Sequence, residues 1–107
     1  MSDTAPLEPS PDELRQRLNL ETGRISWTEL QRHFARGVVV IVAPPLDLIQ
    51  VAACFAQDNK TQVEDWIKTG LVQRALANDA RRWQDVAAQF WSCVVAPWVL
   101  VQEITPV

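Results

Sequence analysis

Gly37-Val38-Val39-Val40-Ile41-Val42-Ala43-Pro44-Pro45 is the stretch on which the fold class turns. Five β-branched residues in succession lose side-chain freedom in a helix and pack well on a pleated surface, so 38–42 reads as a strand. The run has no polar alternation, which requires cover on both faces of that strand. Gly37 is placed to end a preceding helix in a left-handed turn. Pro44 and Pro45 end the strand, because neither donates to a ladder.

Upstream of the run, Ser26 and Glu29 have the spacing of a capping box, and Ile25 with Leu30 that of a hydrophobic staple. They start a helix with Leu30 and Phe34 on its buried face. An earlier helix begins at Ser10, with Pro11 in its first position and Glu13 closing a second capping box. Leu14 and Leu18 form its apolar stripe, and it ends near Gly23. Residues 1–9 are polar and Pro-containing and read as a disordered tail.

Downstream, 46–57 returns to helical spacing, with Leu48, Val51, Ala52 and Phe55 on one face. Asp47 lies at its start, where a carboxylate stabilises free N–H groups. Asp58 and Asn59 break it. The next helix is capped by Thr61 with Glu64, or by Asp58 or Asn59, and its stripe is Val63, Trp66 and Ile67. Trp66 is read as a core residue joining the two helices. Gly70 ends this helix and 71–73 forms a short strand. Asn78 or Asp79 caps a last helix with the stripe Trp83, Val86 and Phe90. Strand character returns over 91–95 and 98–103, with Pro97 either bending one edge strand or dividing two.

This order of elements is α+β. The expectation is a small sheet of three to four short strands packed by four to five helices, in a single domain over 10–107. Residues 49–72 resemble a helix-turn-helix within a winged-helix-like order. Ala53 is small where two helices cross, and Val63 and Trp66 pack back on the first helix. The usual turn glycine is missing. Gln57 takes its place, so Asp58 or Asn59 supplies any left-handed residue.

Ten basic residues oppose thirteen acidic ones, without a run of either sign. That balance is not the footprint of a protein held to nucleic acid by charge. The second helix of the pair presents Lys60, Thr61, Gln62 and Lys68 together with Glu64 and Asp65, and phosphates repel the last two. Arg74 follows on the adjoining strand. These residues (Lys60, Thr61, Gln62, Lys68 and Arg74) are the candidate contacts for a partner or for nucleic acid, with protein the better fit.

Catalytic, cofactor and metal sites are not expected. His33 has no nucleophile or carboxylate placed beside it. Asp47, Asp58, Glu64, Asp65 and Glu103 could in principle form an acid–base pair or bind a metal, but a capping role suffices for Asp47. Cys54 and Cys93 sit in apolar segments as small hydrophobes, and two Cys with one His do not have zinc spacing. Gly23, Gly37 and Gly70 are isolated helix stops and build no phosphate loop. Residues 1–10 lack the apolar core of a signal peptide, and no apolar run spans a bilayer, so the expected compartment is the cytoplasm.

The segments Asp47-Leu48-Ile49-Gln50-Val51-Ala52, Val63-Glu64-Asp65-Trp66-Ile67, Gly70-Leu71-Val72 and Pro97-Trp98-Val99-Leu100-Val101-Gln102-Glu103 resemble a family of short bacterial proteins catalogued as a domain of unknown function. The likeness runs from about Leu20 to Ile104. It implies a bacterial, cytosolic setting and carries no activity, cofactor or catalytic residue.

The functional expectation is a non-enzymatic protein-interaction module that self-associates. The alternative is a helix-turn-helix regulator that binds nucleic acid. A homodimer is expected through Trp98, Val99, Leu100 and Val101. That run is apolar at every position, and Pro97 reads as the mark of a sheet edge, which invites pairing with a second chain.

Overall fold

A computed structural model describes residues 11–104. The expected tail over 1–9 and the Ser10 cap lie outside the described residues. The elements run α1 (Pro11–Glu21), β1 (Gly23–Ser26), α2 (Trp27–Ala35), β2 (Val39–Val42), α3 (Leu48–Ala56), α4 (Lys60–Lys68), β3 (Val72–Arg74), α5 (Ala77–Val86), β4 (Gln89–Val95) and β5 (Trp98–Glu103). The five strands form one mixed sheet in the order β1-β4-β5-β2-β3. Only the β2–β5 pair is parallel.

The β-branched run forms the interior strand that its composition required. Val40 and Val42 pack on one face with Leu14 and Leu18 of α1, Leu48, Val51 and Ala52 of α3, and Trp66 of α4. Val39 and Ile41 pack on the other, with Trp27 and Leu30 of α2 and Trp83 of α5. The sheet is thus covered by three helices on one side and two on the other. The strand alternation serves both cores.

Local chemistry sets the helix ends. At α2, Glu29 N–H donates to Ser26 Oγ at 3.2 Å and Ser26 N–H to Glu29 Oε1 at 3.3 Å, which is the expected capping box. Asp47 caps α3, accepting from Ile49 N–H at 2.9 Å. Asn59 caps α4, accepting from Gln62 N–H at 3.3 Å. Four helices close on a left-handed residue, at Gly37 (φ 75°), Asp58 (φ 56°), Gly70 (φ 78°) and Ala87 (φ 48°). Behind each, a backbone N–H reaches back across the last turn. Val38 donates to His33 O, Asn59 to Cys54 O, Leu71 to Trp66 O and Ala88 to Trp83 O. These bonds satisfy carbonyls that the helix leaves free.

Gly70→Ala is expected to destabilise the fold by about 1 kcal/mol. A Cβ there meets nothing within 4 Å, so the cost is backbone conformation alone. Urea denaturation measures it, and an unchanged midpoint would remove the left-handed cap as its cause.

Four expectations are corrected. The sheet has five strands rather than three to four, because the segment from Gly23, read as a helix stop, to Ser26, read as the next helix cap, forms β1 against β4. Phe90 belongs to β4 and not to the α5 stripe; the left-handed Ala87 ends α5 first. Neither Asn78 nor Asp79 is the N-cap of α5, which follows Leu76; Asp79 lies one turn in and accepts from Leu76 N–H at 2.9 Å. Finally, Trp98, Val99, Leu100 and Val101 do not form a sheet edge. Pro97, after a cis Ala96–Pro97 bond, occupies the β4–β5 hairpin turn, and β5 lies between β4 and β2. Helices of the same chain cover both of its faces, leaving Val99, Leu100 and Val101 buried and Trp98 half-buried.

Candidate functional site

The segment proposed as a helix-turn-helix is the crossover between β2 and β3. The chain leaves β2, passes over one face of the sheet as α3 and α4, and returns as β3 antiparallel to β2. Asp58 supplies the left-handed residue that the missing glycine demanded. Trp66 anchors α4, buried among Val40, Val72 and α3. The rest of the apolar stripe is not absorbed. Val63 is half-buried, and Ile67 is 54% exposed.

Those residues form one wall of a groove of about 610 Å³. Val40 and Val72 lie on the sheet side, Cys54 and Phe55 come from the end of α3, and the β4–β5 turn contributes Val95, Pro97 and Trp98. Its lining is mostly apolar, and charged groups stand at its margin. Asp58, Lys60 and Glu64 belong to the helical wall, while Arg74 is the charged residue of the sheet side.

Arg74 is held in place. One of its terminal nitrogens donates to Gly37 O at 2.6 Å, and its guanidinium carbon is 5.8 Å from the centre of the Trp98 ring. That is cation–π distance. Neither Arg74 nor Lys60 has a carboxylate within 4.0 Å among the described residues.

The groove therefore gathers Lys60, Arg74 and Trp98 from the expected contact residues. It does not include Thr61, Gln62 or Lys68, which line a smaller polar depression along α4 with Asp65. Val99, Leu100 and Val101 are sealed in the sheet. Sequence reasoning missed Phe55, Val63, Ile67 and Pro97 as groove residues. The available signal was a stripe on α4 broader than a nine-residue helix at the margin of the sheet buries.

The titratable groups are dispersed or already engaged. Glu103 accepts from Trp83 Nε1–H at 3.0 Å and from Arg82 at 3.2 Å. Asp47 is committed to its cap and lies 3.6 Å from Arg15. Cys93 is buried, with its thiol donating to Leu18 O at 3.7 Å, and Cys54 is half-buried in the groove wall. Burial pushes the Cys54 thiol up, away from the reactive thiolate form. Among the described residues no group of three or more His, Cys, Asp or Glu is placed to hold a metal. No helix among them is long and apolar enough to cross a membrane.

A mixed five-stranded sheet between layers of three and two helices defines a small α+β class of protein. Within it, a family model described as "Protein of unknown function (DUF2288)" matches residues 13–103, and the chain belongs to that family. A solved structure with the same fold is the NMR solution structure of PA1075 from Pseudomonas aeruginosa. It is 35% identical, with a TM-score of 0.77 over 97% of this chain and 95% of that one. No match is found among the curated proteins.

Proposed function

We propose that this chain is a non-enzymatic protein-interaction module of the cytoplasm, with the groove beneath α4 as its contact surface. The observation that carries the reading is the open apolar wall. Ile67 stands 54% exposed beside half-buried Val63 and Phe55, over a trough of about 610 Å³. An apolar trough rimmed by polar groups is where a partner's large side chains gain most from leaving water. Neither groove carboxylate, Asp58 or Glu64, lies within 4.0 Å of Lys60 or Arg74.

Duplex DNA fits less well. Lys60 and Lys68 lie on α4, on one side of the sheet, whereas Arg81 and Arg82 lie on α5, on the other. Arg82 is also engaged by Asp79 and Glu103. A steeply salt-dependent gel shift would favour the nucleic-acid reading instead. Where the partner is a second copy of this chain, the groove replaces buried β5 as its seat, and light scattering behind a sizing column reads the mass.

Ile67→Glu tests the surface. The side chain is exposed, so the fold is expected to survive with an unchanged circular dichroism spectrum. A partner that co-purifies with the wild-type chain, and binds it saturably once purified, should lose about tenfold or more in affinity for the variant. Undiminished binding would place the contact elsewhere.

A further inference from the structure

We propose that the occupant of this groove is a segment of a partner protein carrying large apolar side chains next to a carboxylate, with the carboxylate seated on Arg74. The proposal rests on the reading of the groove as a contact surface and adds the chemistry of what it takes.

Charge placement is the first ground. The helical wall carries two carboxylates, Asp58 and Glu64, against one ammonium, Lys60. The sheet side carries Arg74 without an acid. An incoming carboxylate is drawn to the sheet side and repelled by most of the helical wall, so the asymmetry fixes its direction. Arg74 is suited to receive it. A guanidinium has five N–H donors, and the bond to Gly37 O uses one. The bond to Gly37 O and the cation–π contact with Trp98 restrain the side chain, which lowers the cost of ordering it on binding.

Openness is the second ground, and it favours a protein segment over a small molecule. Small-molecule sites enclose most of their ligand. Here Ile67 and Pro97 are exposed and Trp98 only half-buried, so the occupant must bring its own cover. Addition of a strand to the sheet edge is disfavoured. Ala43 N–H donates to Leu71 O and Ala75 N–H to Val39 O, which turns the polar groups of Val72 and Arg74 outward from β3. Val72 is only 1% exposed, so that edge offers no continuous ladder. Recognition falls to side chains in the trough.

An amide-proton NMR titration of the full chain with two capped peptides tests this, one of sequence Leu-Leu-Phe-Asp and one Leu-Leu-Phe-Asn. The aspartate peptide is expected to shift the Trp98 indole N–H and the Ile67 amide, and to bind about tenfold more tightly than its asparagine twin. Added salt should weaken the aspartate peptide more. Arg74→Gln should erase the difference between the peptides, Arg74→Lys should retain part of it, and Ile67→Glu should abolish both titrations. Equal affinities within the groove would overturn the carboxylate assignment and leave the contact surface standing. Absence of binding by either peptide, or shifts away from the groove, would overturn the proposal. The capture experiment with Ile67→Glu judges the contact surface separately.

Discussion

Leu100→Asp should abolish the folded state. Leu100 is 0% exposed and lies in the central strand, paired with Cys93 on one side and Val40 on the other. It packs into the core beneath α1 and α3. A carboxylate there loses its hydration and finds no cation in the surrounding core. The loss exceeds about 4 kcal/mol, against a total stability of about 5–15 kcal/mol for a domain of this kind. The expected outcome is a chain without dispersed NMR signals or a cooperative melt. The same experiment discriminates between two placements of β5. Were the strand an exposed edge that pairs between copies, the charge would block pairing and yield a folded monomer. A folded, monomeric Leu100→Asp would therefore contradict the central position of β5.

Trp83→Ala is expected to cost about 3–5 kcal/mol. Trp83 is 0% exposed and is the largest fully buried side chain among the described residues. Its ring meets Phe90 edge-on at 4.9 Å between centroids and lies tilted against Trp27 at 5.5 Å. Each such pair adds to the area buried, so truncation opens a cavity at the junction of α2, α5 and β4. Trp83→Phe keeps part of the packing and loses the Nε1–H bond to Glu103, and should cost less than the alanine variant. Urea denaturation reads both as shifts in midpoint at constant slope. An alanine variant within about 1 kcal/mol of wild type would mean that the two helices on this face hold without their aromatic cluster.

How far the sequence anticipated the groove depends on single residues. Lys60 and Arg74 stand out in the sequence for charge and Trp98 for its apolar run, and all three line it. Their signals are unrelated, and no sequence spacing joins them. The edge expectation for Trp98 depends on Pro97 bending one strand; the alternative, that Pro97 divides two strands, is the one the structure has. In the structure Pro97 sits in the turn, where it says nothing about which strands flank the hairpin. Ile67 belongs to the apolar stripe that it shares with Val63 and Trp66, yet it stands exposed. Periodicity shows that a face is apolar, but how much of it is covered depends on where the helix ends up on the sheet.

What the sequence determined by itself was local. The branched run at 38–42 specified a strand with two covered faces, because both alternating sets of side chains are apolar. The Ser26–Glu29 box and the Asp47 cap marked helix starts, and Gly37 and Gly70 marked helix ends, because their chemistry acts within a few residues. The tertiary structure decided the rest. Asp58 and Ala87 adopt the same left-handed closure as the glycines. The first falls within the expected pair Asp58 or Asn59, and Ala87 gives no signal, since surrounding contacts and not side-chain preference hold it there. β1 has a single large apolar residue, Ile25, and becomes a strand because β4 offers it a partner. The interior position of β5 follows from pairing with β4 on one side and β2 on the other, contacts between segments far apart in the chain. Burial of both faces of an apolar strand is favourable wherever the cover comes from. Its composition therefore demanded cover, and only the assembled helices showed that one chain supplies it.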